Sequence, residues 1–229
     1  VSNAFFVTGT DTGAGKTLIT AGLLHAAAAR GLRSIGLKPL ASGSERAADG
    51  ELHNEDALML QQAASVPLAY ADVNALSLEP AIAPHLAAVE SGLQLDVRLL
   101  AAHCRAQLLR PHDLLLVEGA GGWRVPLNDH ETLADLARLL GLPVILVVGM
   151  RLGCVNHALL SAEAIARDGL TLAGWVATQT DPGMARVAQN FDTLQMRIPA
   201  PCLGFIGYRA GIGFHDVAQS LDIGRLLAG

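Results

Sequence analysis

Charge is scarce in this chain. Only 16% of its 229 residues are charged, while 51% are hydrophobic. That balance implies a deeply buried interior, with further apolar surface covered in an oligomer. A basic excess is missing as well. Sixteen Lys and Arg against 21 Asp and Glu leave a net charge of −5, which argues against a general nucleic-acid or anionic-membrane binder. Cysteine is rare: Cys104, Cys154 and Cys202 lie far apart, with no CxxC pair. This fits reduced thiols in a cytoplasm better than a disulfide framework. No N-terminal signal is visible, and no run approaches the roughly 18 apolar residues of a membrane span. Linkers, repeats and low-complexity tracts are also missing, so one domain, 1–229, is the economical expectation.

What is present is an alternation of strand-like and helix-like segments. Strands are expected at 5–10, 34–39, 113–119, 143–149, 172–178 and 201–207. "DLLLVEG" and "PVILVVG" are short, continuous apolar runs, as central strands covered on both faces require. Helices are expected at 16–30, 54–64, 96–110, 131–140, 156–169 and near 216–227, with a helix start at "APHLAA". Asn54 is a plausible cap, and Gly31 and Pro111 are stops. The interleaving predicts right-handed βαβ units: an α/β fold with a mainly parallel sheet and helices on both faces. Residues 41–53 read as a mobile loop.

The first strand runs into "FFVTGTDTGAGKT". Glycines before a helix N-terminus let several N–H groups converge on one anion. Gly13 and Gly15 suit that role, Lys16 would reach the outer phosphates of a nucleotide, and Thr17 would offer its hydroxyl to Mg²⁺. The strict G-x-x-x-x-G-K-[ST] pattern is not met, because Thr10 stands where its first glycine belongs. The order of strand, glycine loop, Lys-Thr and helix is nonetheless the required one, a P-loop.

Such a loop indicates a nucleotide and no particular reaction. Ligands of open α/β sheets gather beyond the carboxyl ends of the strands. Lys38 ends the second strand, Glu118 follows four apolar residues and precedes three glycines, and "VVGMRLGCVNHA" leads a strand into a helix start near Asn156. Glu118 resembles the acidic end of a Walker B strand, although an ordinary strand-end carboxylate would read the same. Asp56 sits in a helical first turn, where a capping charge is the simpler reading. Lys38 is as readily a solvated strand-end lysine. His25, His103 and His157 fall on helices without metal-ligand spacing. Trp123 is as readily core as a wall of a site.

Together "FFVTGTDTGAGKT", "GLKPLASGS", "NEDALML", "LLLVEGAGGW", "LPVILVVGMRLGCVNHALL" and "LTLAGWVA" resemble dethiobiotin synthetases in order and spacing. The last 25 residues match poorly. The resemblance implies a single P-loop domain working as a homodimer with Mg²⁺. It implies that ATP, CO2 and 7,8-diaminopelargonate give dethiobiotin, ADP and phosphate. By position, Gly13, Ala14, Gly15, Lys16, Thr17 and Leu18 would bind the phosphates, and Thr17, Asp56 and Glu118 the metal. Lys16 and Lys38 would flank the transferring phosphoryl and the carbamate, with Thr12 and Ser42 at the diamine or carbamate. Gly153, Cys154, Val155 and Asn156 would meet the substrate's tail carboxylate, reaching across the dimer. Thr178, Gln179, Gly207 and Tyr208 would line the nucleotide base.

Thr178 stands where the family usually has Asn, and Ile206-Gly207 where it usually has Ile-Pro. Thr lacks the paired donor and acceptor of an amide, so looser base selectivity is expected. The family also often has an acidic or polar residue where Gly13 stands. A rival of the same fold is the dimeric switch ATPase that partitions DNA or positions division sites. Those carry a lysine where Asp11 stands here.

Overall fold

The computed structural model describes residues 3–48 and 50–227. In chain order the elements are β1 (Ala4–Gly9), α1 (Lys16–Ala28), β2 (Ser34–Leu37), β3 (Leu40–Ser42), β4 (Glu45–Arg46), β5 (Leu52–His53), α2 (Glu55–Ala63), α3 (Tyr70–Val73), β6 (Leu76–Leu78) and α4 (Pro84–Glu90). There follow α5 (Val97–Leu108), β7 (Leu114–Gly122), α6 (Leu133–Leu140), β8 (Val144–Met150), α7 (Cys154–Arg167), β9 (Leu172–Gln179), α8 (Val187–Arg197), β10 (Cys202–Ile206), α9 (Phe214–Ala218) and α10 (Ile223–Leu227).

Six strands form one sheet in the order β10-β9-β8-β1-β7-β2. Every pairing within it is parallel. β1 therefore lies in the middle, with β7 on one side and β8 on the other. Strand order reverses there, which opens a crevice above the carboxyl end of β1.

Successive side chains of a strand face opposite ways, and each face has its own core. Phe5 and Val7 point into a layer with Leu23, Leu24 and Val217 of α1 and α9. Phe6 points into the layer with Leu100, Cys104 and Leu136 of α5 and α6. A third cluster joins Leu146, Val148 and Trp175 to α7 and α8. The expected helices start where their caps lie: Asn54 accepts from the N–H of Asp56, Asp96 from that of Arg98, and Thr132 forms a capping box with Asp135.

Three expectations need correction. Residues 41–53 are not a bare loop: β3 pairs with β6, and β4 pairs with β5 in a two-residue ladder. The elements there are too short to show a hydrophobic period. The final helix is two pieces, α9 and α10, broken where the N–H of Asp222 donates to the carbonyl of Leu203. α7 begins at Cys154, two residues earlier than expected. In addition, α3, α8 and β6 have no counterpart in the sequence reading; α8 buries only Leu194, too little for a clear stripe.

Two sheet glycines mark close approaches. A Cβ on Gly204 would lie 2.5 Å from the Ser220 carbonyl oxygen, and one on Gly36 would lie 2.5 Å from Leu24 Cδ1. A side-chain methyl can yield, whereas a backbone carbonyl yields only with its turn. Gly204→Ala is therefore expected to cost about 1–3 kcal/mol and more than Gly36→Ala. The measurement is urea unfolding of both variants. An equal or larger loss for Gly36→Ala would contradict the packing argument.

Candidate active site at the carboxyl edge of the sheet

The glycine loop departs from β1 at Gly9 and enters α1 at Lys16. Gly13 and Gly15 have φ of 76° and 88°, left-handed values that favour glycine. Gly15 is the N-cap and supplies no side-chain acceptor, so the first N–H groups of α1 stay available to an anion. Lys16 is buried beside them, and its ammonium donates to the Asp11 carbonyl at 3.4 Å. Burial, with the Lys38 charge second, pushes its pKa down to about 8.

Opposite stands Lys38, just past β2. Pro39 restricts it to extended backbone, and it is almost wholly buried. Its ammonium donates to Glu118 Oε1 at 2.6 Å, to Asp56 Oδ2 at 2.9 Å and to the Gly119 carbonyl at 3.3 Å. Burial opposes its charge, but the two carboxylates outweigh burial and hold the Lys38 pKa above the ordinary lysine value. For Asp56 burial works upward, and Lys38 outweighs it, so that carboxyl sits below its ordinary value. Glu118, fully buried, also accepts from Thr17 Oγ1 at 2.8 Å. Its second oxygen, Oε2, is buried without a hydrogen-bond partner. A buried carboxylate oxygen left so is costly unless something else is meant to meet it.

Glu118 reaches this point because β7 bulges after it. Val7 pairs with Glu118 but Gly9 with Gly122, so three residues of β7 face one of β1. The glycines make that bulge possible. A Cβ on Gly119 would lie 3.1 Å from the Phe6 ring, and Gly121 has φ of 62° with Val125 at 2.8 Å from its Cβ position. Asp56 is aimed by α2. The cap residue Asn54 donates to the Ser42 carbonyl, and its own N–H donates to the Tyr70 hydroxyl. Tyr70 meets Ser77, Ser77 donates to Asn74, and Asn74 donates to the Lys38 carbonyl. This hydrogen-bonded chain fixes Lys38 and Asp56 relative to each other. Tyr70, Asn74 and Ser77 sit in a stretch with no motif to point to them.

A cleft of about 770 Å³ joins these parts. Thr12, Gly13, Gly15, Lys16, Thr17, Leu18, Lys38, Ser42, Asp56 and Gly121 line it, with Met59, Ile82 and Val125 as apolar walls. Ser42 Oγ is buried without a partner. Two further open grooves, near His130 and Glu131, contain none of these groups.

The remaining sequence candidates lie elsewhere. Ala14 is buried under the loop, against Gly149. Thr178, the penultimate residue of β9, packs beneath Gly15, its methyl 2.9 Å from the Cβ position, with its hydroxyl unpartnered. Gln179 accepts from the N–H of Tyr208 at 3.4 Å and donates to the Asp181 carbonyl, so the β9 and β10 ends meet there, with Gly207 beside them. Gly153, Cys154, Val155 and Asn156 turn into α7 with Gly153 at φ 94°. They do not line the cleft of their own chain. Cys154 is buried, and burial raises its thiol pKa. Trp123 is core: its ring meets Phe6 edge-on, and its N–H donates to Asp168.

Comparison with known proteins follows the same lines. A family model described as an AAA domain matches residues 3–215. The chain is 59% identical over 220 residues to the ATP-dependent dethiobiotin synthetase BioD of Pseudomonas paraeruginosa, covering 96% of each. It is 56% identical to that of Cellvibrio japonicus, covering 98% of this chain and 97% of the relative. The chain belongs to the dethiobiotin synthetase family. Among solved structures it resembles the signal recognition particle receptor FtsY from Elizabethkingia anophelis, with a TM-score of 0.51 at 15% identity, covering 98% of this chain and 64% of that one. That likeness concerns the fold alone. Among the described residues, no helix is long and apolar enough to cross a membrane.

Lys16 supplies a proton-linked test of this dethiobiotin synthetase fold's glycine loop. A polyphosphate on the loop favours the ammonium form, so the complex holds more protons than the free protein above the free pKa of about 8. Binding of an ATP analogue at about pH 8.5 is expected to take up protons, and affinity to fall as pH rises through about 8. Calorimetry in two buffers of different ionisation enthalpy measures the uptake. Identical heats in both would refute it.

Proposed function

We propose that this chain is the ATP-dependent synthetase that closes the ureido ring of dethiobiotin in biotin synthesis. CO2 and one amine of 7,8-diaminopelargonate form a carbamate. The γ-phosphoryl of ATP passes to a carbamate oxygen, giving a mixed anhydride and ADP. The second amine attacks the anhydride carbon, phosphate leaves and the ring closes. The observation that carries this reading is Lys38. Its buried ammonium faces the P-loop cleft, held by the same two carboxylates that flank Thr17. A protein that only bound nucleotide would have no use for it.

Phosphoryl transfer needs alignment and charge neutralisation more than covalent help. Lys16 and the N–H groups of the glycine loop would hold the phosphates. Lys38 would neutralise the carbamate and the oxygens between it and the phosphoryl. Thr12 and the unpartnered Ser42 hydroxyl would orient the carbamate or the diamine. The apolar walls suit the hydrocarbon middle of the substrate.

Thr17, Asp56 and Glu118 would hold Mg²⁺, and the orphan Glu118 Oε2 fits a hard cation that prefers oxygen. Bound there, the ion supplies charge neutralisation at the β- and γ-phosphates. Two carboxylates and a hydroxyl suit Mg²⁺, which keeps water and phosphate as its other ligands.

The 153–156 turn lies away from its own cleft, which supports a homodimer in which it serves the partner's substrate tail. Leu152, 95% exposed in the turn before α7, supports a covered face. Gln179, with Thr178, Gly207 and Tyr208 beside it, would border the base.

The decisive assay mixes the protein with MgATP, bicarbonate and the diamine and follows ADP and dethiobiotin. Stoichiometric, diamine-dependent formation of both is expected. ADP release indifferent to the diamine, with no dethiobiotin, would instead favour the switch-ATPase reading. Lys38→Gln is expected to keep nucleotide affinity and lower kcat by about 10²–10³-fold; unchanged turnover would remove Lys38 from the chemistry. Thr178 lacks an amide, so ATP is expected to exceed GTP and CTP by less than about a thousandfold in kcat/KM, roughly 4 kcal/mol. A larger ratio rejects loose base selection.

A further inference from the structure

Asp11 is a charged residue of the glycine loop that the proposed chemistry does not use. Its carboxylate does not face the phosphate cleft. It turns instead toward the end of β8 and the start of α7. Oδ1 meets Arg151 at 3.1 Å and Oδ2 meets His157 Nδ1 at 3.2 Å. Arg151 lies two residues before the left-handed Gly153, and His157 lies four after it. One carboxylate thus grips the turn from both flanks.

A second bond runs alongside. The N–H of Gly149 donates to Thr10 Oγ1 at 3.2 Å, and the Cβ position of Gly149 lies 3.2 Å from Ala14 Cα. The end of β8 and the glycine loop are therefore packed as one body. Lys16 closes the linkage from the cleft side, since its ammonium donates to the carbonyl of the same Asp11. A phosphate arriving on the loop recruits that ammonium and so acts on Asp11 directly.

We infer that Asp11, Arg151 and His157 are positioning residues that transmit nucleotide occupancy of the glycine loop to the 151–156 turn, so that nucleotide raises affinity for the diamine. The inference rests on the proposed role of that turn at the substrate's tail carboxylate. With the turn serving the partner, nucleotide in one protomer prepares the diamine subsite of the other. Linkage makes the effect reciprocal: the diamine raises nucleotide affinity by the same factor.

The test is calorimetric titration of 7,8-diaminopelargonate with and without a non-hydrolysable MgATP analogue, on the intact protein. The expected wild-type factor is about tenfold. Asp11→Asn, Arg151→Met and His157→Gln are expected to bring the factor to within about twofold of one. The double variant Asp11→Asn/His157→Gln should lower the factor no further than Asp11→Asn alone, as members of one link require. His157→Gln, at a half-exposed site, guards against loss of folding and should leave affinity for the nucleotide alone unchanged. A merely structural role would lower Tm and leave the factor intact, which overturns the inference. A wild-type factor of one, in a preparation that forms dethiobiotin, overturns it while sparing the functional reading. A preparation that forms no dethiobiotin overturns both.

Discussion

The site depends on one buried cation. Lys38 holds its ammonium between Glu118 and Asp56 inside the protein, where removing the ammonium would leave the fully buried Glu118 carboxylate without its counter-charge, at a cost of about 3–5 kcal/mol. Such an arrangement is a poor way to gain stability, since well-packed apolar groups would serve as well. Its value is in holding two carboxylates and an ammonium close to the phosphate loop before any ligand arrives. Preorganised charge of that kind stabilises a transition state without reorganising during the reaction.

Much of the fold follows from holding those three groups in place. Lys38 needs the extended backbone that precedes Pro39, and its carbonyl needs Asn74. Asp56 needs the Asn54 cap and the Tyr70 hydroxyl. Glu118 needs a strand that bulges through glycines immediately after it. The small ladders β3–β6 and β4–β5 are short, with Leu40 and Leu78 of the first anchored in the core, and they seat the segment that presents Ser42 and Asp56 to the cleft. Stability and chemistry are divided: three apolar clusters hold the sheet, and the polar network confines itself to the sheet's carboxyl edge.

The central strands were legible because their apolar runs are continuous, as strands covered on both faces must be. The glycine loop was legible because conformation and charge converge there: two left-handed glycines, then Lys16 and Thr17 opening a helix. Lys38, Asp56 and Glu118 each had an ordinary reading alone. Only the resemblance to dethiobiotin synthetases grouped them, and the geometry then placed them within bonding distance of one another or of Thr17. The chain Tyr70–Ser77–Asn74 escaped notice because its partners are backbone groups and short polar side chains, which carry no periodicity. Asp11 was visible only as the position where a rival family has lysine, and His157 only as a helical histidine. Their meeting depends on β1 lying beside β8, and no local pattern encodes that adjacency.

That adjacency also governs when the protein can be finished. β1 is made from residues 4–9, yet both its neighbours, β7 and β8, are made from residues 114–150. A nascent chain emerging at about 5–20 residues per second would carry a mostly apolar, unpaired β1 for roughly 5–20 s before β7 could join it. During that interval the glycine loop has no β8 to rest on and no Glu118 opposite it. The phosphate cradle therefore cannot form early as an independent unit, although its sequence is nearly complete by residue 17. Competence to hold an anion marks the closing of the sheet, and the exposed first strand is the part of the molecule a chaperone would meet.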